Sequence, residues 1–363
     1  MDFSFNTICF GGLLFFFAFL VYALANGSNS LRRYILTRLL LTLPMIFILL
    51  TTIFLVMRLL PGDPVSARLK PGSSPELIAK LRADLNLDKP IYEQYVLYLG
   101  DVLRGDFGRS AYNDQEVGDM IAERMPATLE LVIPPVILML IIGVYSGAYA
   151  AHRHKSAADY SLRIGSVIVY SFPIFWVGLM LQLLFGVYLG WLPTSKRIDP
   201  TLEIERHTNL LLVDTLIEGD LAAFQNVLSH MILPTLTLTL ALMGVFVRLT
   251  RVNMIETLGE DYVTAAHARG VPERRVVYRH ALRNSLIPVM TLIGLQVAIL
   301  MAGAILTETT FSWPGMGLLI REGIAQRDYP TVQGAITIFA IAVAFISLVT
   351  DILYAFVDPR IRY

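Results

Sequence analysis

An all-α polytopic membrane protein is the fold class this sequence predicts, on three observations. Of its 363 residues, 55% are hydrophobic and 16% charged, with a mean hydropathy of +0.61, whereas an average soluble domain carries about a quarter charged residues. Apolar runs long enough to cross a hydrocarbon core recur along the chain. When the membrane is crossed at each run, the arginine-rich connectors all fall on one side, which is the positive-inside pattern. The formal net charge of +0 gives a nucleic-acid partner no electrostatic support. Cys9 is the one cysteine, so an intrachain disulfide and any multi-cysteine metal site are excluded. The sequon Asn26-Gly27-Ser28 carries little weight, since such triplets arise by chance.

The first apolar run, residues 3–24, has no Lys, Arg, Asp or Glu, and Asp2 is the only charge before it. It therefore lacks the positive n-region of a secretory signal. An extra transmembrane helix, a membrane-buried anchor and a mis-assigned start are the readings it allows; the extra helix, in a segment 1–30, is the expectation. Asn26 to Ser30 then break the pattern as a flexible turn. Arg32, Arg33 and Arg38 hold the start of the next run, 39–60, in the cytoplasm, so 31–60 carries the first core helix. Pro61-Gly62-Asp63-Pro64 ends it, because proline and glycine disfavour continuing a helix.

Residues 61–126 are more polar and carry both charge signs, which predicts an extracytoplasmic helical subdomain. Ser74-Pro75-Glu76 reads as an N-cap and first turn, with Leu77, Leu81 and Leu85 on one face. Pro90 opens a second amphipathic helix whose apolar stripe is Tyr92, Tyr95, Val96, Leu99 and Leu103. Gly105-Asp106-Phe107-Gly108 is a turn. Docking of an external partner and a structural lid are equally open roles for the segment.

Residues 127–363 hold the rest of the transmembrane core, with spans predicted at 129–150, 162–189, 232–247, 286–306 and 332–356. The basic connector His152-Arg153-His154-Lys155 and the tail with Arg360 and Arg362 are both cytoplasmic on this reading. The core is thus six helices, or seven if the first run also crosses. Outer segments 191–231 and 309–330 remain, and the aromatic and proline residues of the second suit a re-entrant or surface-lying piece.

The stretch 248–284 is the most basic part of the chain: Arg248, Arg251, Arg269, Arg274, Arg275, Arg279 and Arg283 stand against Glu256, Glu260, Asp261 and Glu273. It is too long for a plain connector and reads as two short helices. The first runs from about Glu256 to Ala268 and stops at Gly270, the residue best suited to a left-handed cap. The second starts at Pro272, whose fixed φ suits the first helical position, and continues towards Pro288. Such a loop is either a docking surface for a soluble partner or simply basic, as cytoplasmic loops are.

The familiar chemical motifs are missing. The sequence contains no Gly-x-x-x-x-Gly-Lys-Ser/Thr, so the chain has no P-loop of its own. His-Glu-x-x-His and Gly-x-Ser-x-Gly are also absent. His152 and His154 lack a third ligand nearby and read as a solvated connector. Ionisable residues within spans are few: Arg58, Glu130 and Glu308 near outer ends, Arg163 and Asp351 near inner ends. Intramembrane charges are functional candidates by default, but these lie close enough to the interface for snorkelling or ion pairing. A proton-coupled carrier calls for a deeper acid, and a membrane-embedded enzyme for paired His, Asp or Glu at helical spacing inside the spans.

Asp261-Tyr262-Val263-Thr264-Ala265-Ala266-His267-Ala268-Arg269-Gly270 resembles the coupling loop of ABC import permeases, and the run on to Pro288 is similar to the dipeptide/oligopeptide/nickel branch. The likeness covers the chain from Leu31 onward. It includes Leu60-Pro61-Gly62-Asp63-Pro64, Leu87-Asp88-Lys89-Pro90, Gly105-Asp106-Phe107-Gly108-Arg109-Ser110, and Arg124-Met125-Pro126-Ala127-Thr128-Leu129-Glu130. It continues through Ile305-Leu306-Thr307-Glu308, Phe311-Ser312-Trp313-Pro314-Gly315-Met316-Gly317, Arg327-Asp328-Tyr329-Pro330 and Asp358-Pro359-Arg360-Ile361-Arg362. The extended outer loop through Arg197, Asp214, Phe224 and His230 to Pro234 looks most like the dipeptide permeases. Two features depart from the pattern: Thr264 stands where many such permeases have Glu, and the segment before Leu31 has no counterpart.

The resemblance implies a six-helix type I permease core in the prokaryotic inner membrane. It implies a second homologous permease, two ABC ATPase subunits and an external substrate-binding protein as partners, with membrane lipid around them and no cofactor or metal. Glu260, Asp261, Tyr262, Ala265, Ala266, Gly270, Pro272 and Arg275 are the implied ATPase-coupling residues. Ala265, Ala266 and Ala268 would let their helix sit close in a groove of the ATPase. The substrate expectation is dipeptides or short peptides, with haem or nickel chelates as the alternative and an ATP-independent carrier as the remoter rival.

Overall fold

The computed structural model describes residues 29–59 and 86–357, together with Ala18, Leu20, Glu76, Ala79, Arg82 and Ala83; the side chains of Tyr354, Phe356 and Val357 are not included. The expected turn at 61–64, residues 26–28 of the turn expected at 26–30, most of the 74–85 helix and the basic tail lie outside the described residues, as does the 1–28 segment apart from Ala18 and Leu20; Asn29 and Ser30, expected in the turn, open the first long helix instead. Among the described residues the secondary structure is helical, with one isolated bridge pairing Arg109 with Glu116.

Among the described residues, five helices are long and apolar enough to cross a membrane: α1 (Asn29–Leu59), α3 (Val117–His152), α7 (Leu221–Leu258), α12 (Ile293–Phe311) and α14 (Tyr329–Val357). α4 (Ala157–Ser171) and α5 (Ile174–Leu181), the latter continuing as a π-helical turn over Gln182–Tyr188, are together long and apolar enough for one more span, broken or re-entrant at the bend between them. Shorter helices complete the chain: α2 (Ile91–Arg104), α6 (Leu211–Glu218), α8 (Asp261–Ala268), α9 (Glu273–Arg275), α10 (Leu282–Ser285), α11 (Ile287–Thr291) and α13 (Met316–Gln326).

The α3–α7 pair is the spine. Gly143 and Gly147 stand one turn apart on α3 and let the backbones close. A Cβ on Gly143 would lie 2.5 Å from Phe246 Cβ, and one on Gly147 would lie 2.6 Å from the Val247 carbonyl oxygen. Small residues four apart are how membrane helices approach when lipid supplies no hydrophobic drive between them. The main core runs from Val117, Leu131 and Met139 of α3 through Leu238 and Phe246 of α7 to Leu300, Met301, Met316 and Phe339. In contrast, α1 is peripheral. It touches α14 at one end through Leu31, Ile35, Leu348 and Ile352, and at the other through Ile53, Met57 and Val332. Leu40, Leu43 and Ile48 stay exposed, as a lipid-facing helix requires.

Several expectations are corrected. The predicted span 162–189 is not one helix: α4 and α5 meet at 103°. Pro173 lacks an N–H and drives Phe172 before it to an extended ψ of 143°. The 129–150 span belongs to a 36-residue helix that begins at Val117 and passes through Pro126, so no boundary falls at 126/127. The 232–247 span belongs to a 38-residue helix, about 57 Å long at 1.5 Å per residue. The 286–306 span is interrupted at Leu292, and its second part runs on to Phe311. On α2 the expected apolar stripe is largely exposed at Tyr92, Val96 and Leu103. Of that stripe Tyr95 does turn inward, together with Gln94 and Tyr98 from outside it: Tyr95 meets Thr51 at 2.5 Å, Tyr98 meets Thr337 at 2.8 Å, and Gln94 accepts from Arg58 at 2.8 Å.

Candidate coupling surface

Because α7 is longer than a hydrocarbon core of about 30 Å is thick, its C-terminal turns project beyond the bundle. Arg248, Arg251 and Glu256 thus lie on a continuation of the long helix, not in a separate loop, and the first loop helix begins at Asp261 instead of near Glu256. The chain turns at Gly259 and Glu260, and the Glu260 carbonyl accepts from the N–H of Val263 and of Thr264 to start α8. At the other end Gly270 has φ +71°. Its N–H donates to the His267 carbonyl at 2.9 Å, and the Val271 N–H donates to the Ala266 carbonyl at 3.2 Å. This double bond pattern around a left-handed glycine is the Schellman cap, as expected at that residue. Pro272 sits just before the next helix, at φ −56° and ψ 137°, not within its first turn. The chain then runs helically through α9, a π-helical stretch at Val276–Ala281, and α10.

The two faces of α8 differ. Val263 and Ala266 are buried in the same core as Val276, Val277 and Ala281. Glu260, Asp261, Tyr262, Thr264, Ala265, Ala268, Gly270, Pro272 and Arg275 are exposed. Of the residues expected to meet a partner, Ala266 therefore faces its own chain, and its small size lets α8 sit close on that seat. The exposed rim carries acid at the start, Glu260 and Asp261, and base at the end, Arg269, Arg274 and Arg275, which matches the helix dipole.

Polar and aromatic contacts tie this seat to α3, and a second ion pair nearby ties α4 to α7. Glu273 faces His267 of α8 at 2.8 Å and His152, the last residue of α3, at 3.5 Å. Asp159 of α4 grips Arg251 of α7 with both carboxylate oxygens, one at 2.8 Å from the guanidinium. Asp159 also accepts the Lys155 N–H at 3.0 Å, while Ser156 caps α4 by accepting the Asp159 N–H. Tyr145 of α3 lies 6.3 Å from Tyr278. The Glu273 and Tyr278 contacts thus tie the α8 seat to α3, and the Asp159–Arg251 pair ties α4 to α7. Sequence reading found the loop but not these links. The expectation of a solvated connector at His152 misses its Glu273 partner, which lies 121 positions on.

At the opposite end a second polar node had only partial signals. Glu130 pairs with Arg197, which also donates to the Asn209 carbonyl at 2.9 Å and lies over the Trp313 ring at 5.7 Å. A Glu130 oxygen accepts the Leu212 N–H at 2.7 Å. Glu308 is fully buried and, among the described residues, has no ion pair, contrary to expectation. It accepts from Thr128 Oγ1 at 2.6 Å and from the N–H groups of Gly317 at 2.6 Å and Leu318 at 3.0 Å, so it caps α13. Trp313 Nε1 donates to the Ala127 carbonyl at 2.8 Å. Asp328 collects Ser110 Oγ, the Ala111 N–H and Thr331 Oγ1, joining two segments far apart in sequence. As expected, Asp351 is ion-paired, with Arg38 at 3.2 Å. In the outer loop, the N–H and hydroxyl of Thr201 hold the Asp199 carboxyl below the usual range. Glu205, His207 and Glu218 have ligand atoms within 4.8 Å of one another; they are solvent-accessible, and one Glu218 oxygen already accepts the Glu205 N–H.

Residues 139–363 match the family described as binding-protein-dependent transport system inner membrane component, and residues 31–132 match the N-terminal domain of such membrane components. The di/tripeptide transport system permease protein DppB of Pseudomonas aeruginosa is 42% identical over 331 residues, 91% of this chain and 98% of that protein. The dipeptide transport system permease proteins DppB of Alkalihalophilus pseudofirmus and Escherichia coli are each 40% identical, over 91% of this chain and 99% of theirs. An inward-facing MetNI methionine ABC transporter structure gives a TM-score of 0.49 at 11% identity, over 66% of this chain and 96% of that one. The chain belongs to the binding-protein-dependent transport system inner membrane component family and is an ABC importer permease.

Proposed function

We propose that this chain imports dipeptides or short peptides across the cytoplasmic membrane, driven by ATP hydrolysis on partner subunits that dock on α8. The observation that carries the reading is α8 itself. It is a short helix beyond the end of a long one, closed by a left-handed glycine, seated on Val276 and Val277, and exposed on its other face. With no P-loop in its sequence, the chain receives work through that contact. Two ABC ATPases, a second homologous permease and an external substrate-binding protein complete the machine. Movement of α8 would tilt α3, α4 and α7 together between inward-open and outward-open states, and the difference in contacts between the two states biases the exchange. On this reading the α8 end and the C-terminus are cytoplasmic and the 61–126 segment lies outside. The dipeptide assignment rests on the likeness to the DppB permeases named above; haem or nickel chelates are the alternative cargo.

The test is ATP hydrolysis by the complex purified through a tag on this chain, with the cognate binding protein empty or dipeptide-loaded. Stimulation by the loaded form is expected. Basal hydrolysis without stimulation would remove dipeptides as substrate, and absence of any co-purifying ATPase would remove the coupling role of α8.

A further inference from the structure

A narrow groove between α4 and α7 has no part in the transport reading above. Arg163, Val167 and Tyr170 line it from α4, and Gly244, Arg248 and Arg251 from α7, around a space of about 80 Å³. Gly244 permits the close approach: a Cβ there would stand 3.0 Å from the Ser166 carbonyl oxygen. Three guanidinium groups share this groove, and only one has an acid. Asp159 takes Arg251. Arg163 lies over the Tyr160 ring at 5.0 Å, and neither Arg163 nor Arg248 has an ion pair among the described residues. The next acid along α7, Glu256, is two turns further on, about 12 Å at 1.5 Å per residue.

The height of the groove is set by the sequence. Arg248 directly follows the apolar stretch 232–247, and Arg163 falls at the start of the stretch 162–189. Both cations therefore sit at the rim of the hydrocarbon core, at the α8 end. Beyond them the walls turn apolar, with Val167 55% exposed and Val245 opposite.

We infer that this groove binds an anionic phospholipid, its phosphate between Arg163 and Arg248 and an acyl chain along Val167 and Val245. Basic pockets between membrane helices hold acidic headgroups, and the planar guanidinium fork fits a phosphate. A free phosphate would leave the apolar walls uncovered. The site needs only that α4 and α7 lie in the bilayer; the leaflet follows from the orientation proposed above.

The intact complex, purified in neutral detergent, is titrated with phosphatidylglycerol and with phosphatidylcholine and read by native mass spectrometry. Wild type is expected to retain phosphatidylglycerol in preference. In the Arg163→Gln/Arg248→Gln variant the half-occupancy concentration should rise about 30-fold, since each basic residue near an anionic surface contributes about 1 kcal/mol. The Arg163→Lys/Arg248→Lys variant should stay near wild type. Equal retention of the two lipids by wild type, equal half-occupancy in wild type and the Gln pair, or displacement by millimolar inorganic phosphate would overturn the site. So would efficient cross-linking of Val167→Cys to a second permease chain. Labelling of His154→Cys, in a Cys9→Ser background and from either side of the membrane, tests the orientation separately and leaves the lipid result standing.

Discussion

The two ends of this bundle are built on opposite principles. At the far end, Glu130, Arg197, Thr128, Glu308 and Trp313 are all buried, and each polar side chain is met by a charge, a hydroxyl or a backbone group. At the α8 end, α8 itself rests on two inward side chains, Val263 and Ala266, and on a Glu273 bridge whose groups are 30–54% exposed, while the largely buried Asp159–Arg251 pair nearby joins α4 to α7. Buried polar groups in a low-dielectric setting hold one geometry, because any displacement leaves a group unsatisfied. A thin apolar seat with exposed charges holds its geometry weakly and leaves the remaining surface free for a partner. One end is locked by its own chain, and the other, on the function proposed above, is completed by another.

The sharpest way to break this comparison is to unpair the far end. Arg197→Met strands Glu130 without its cation and should cost about 3–5 kcal/mol, read as a large fall in the thermal aggregation midpoint of the purified complex. Glu130→Leu with Arg197→Met should recover most of the loss. A single variant that melts with wild type would show that the node locks nothing. Glu308→Ala comes next. It strands the Thr128 hydroxyl and the N–H groups of Gly317 and Leu318, at about 1–3 kcal/mol for each buried group left unmet. Glu308→Gln keeps an acceptor and should lose less, by the same midpoint.

The α8 end should answer differently. Aspartate tolerates left-handed backbone better than most residues, so Gly270→Asp should leave the chain in the membrane with its midpoint within a few degrees of wild type. It puts a negative charge at the negative end of α8, on the exposed rim, and substrate-stimulated ATP hydrolysis should fall at least tenfold. Normal uptake by this variant would detach α8 from coupling. The smallest effect belongs to Glu273→Gln. Exposed ion pairs contribute about 0–1 kcal/mol, so the midpoint should not move measurably, and a drop comparable to that of Arg197→Met would erase the contrast between the ends.

Sequence reading and structure agree most closely where the information is local. The left-handed cap at Gly270, the turn at Gly105 and the long apolar runs at 39–60, 129–150, 232–247 and 332–356 depend on residues a few positions apart; the cap and the turn are found, and the runs are helix among the described residues. The coupling loop was legible too, though not which of its faces is spent on the permease. That depends on Val276 and Val277, which return to cover Val263 and Ala266.

By itself, then, the sequence determined that the chain is a multi-span helical membrane protein and where its cap and most of its apolar runs fall. Tertiary structure alone decided the rest. Pro44, Pro126, Pro134, Pro135 and Pro234 ride inside continuous helices, while Pro173 breaks one. The chemistry of the residue is the same each time; what differs is whether surrounding structure satisfies the freed backbone groups. Glu130 finds Arg197 across 67 positions, and Glu308 finds Thr128 across 180. No local propensity encodes such pairs, because they exist only once packing has brought the helices together and removed the water that would otherwise have solvated each group alone.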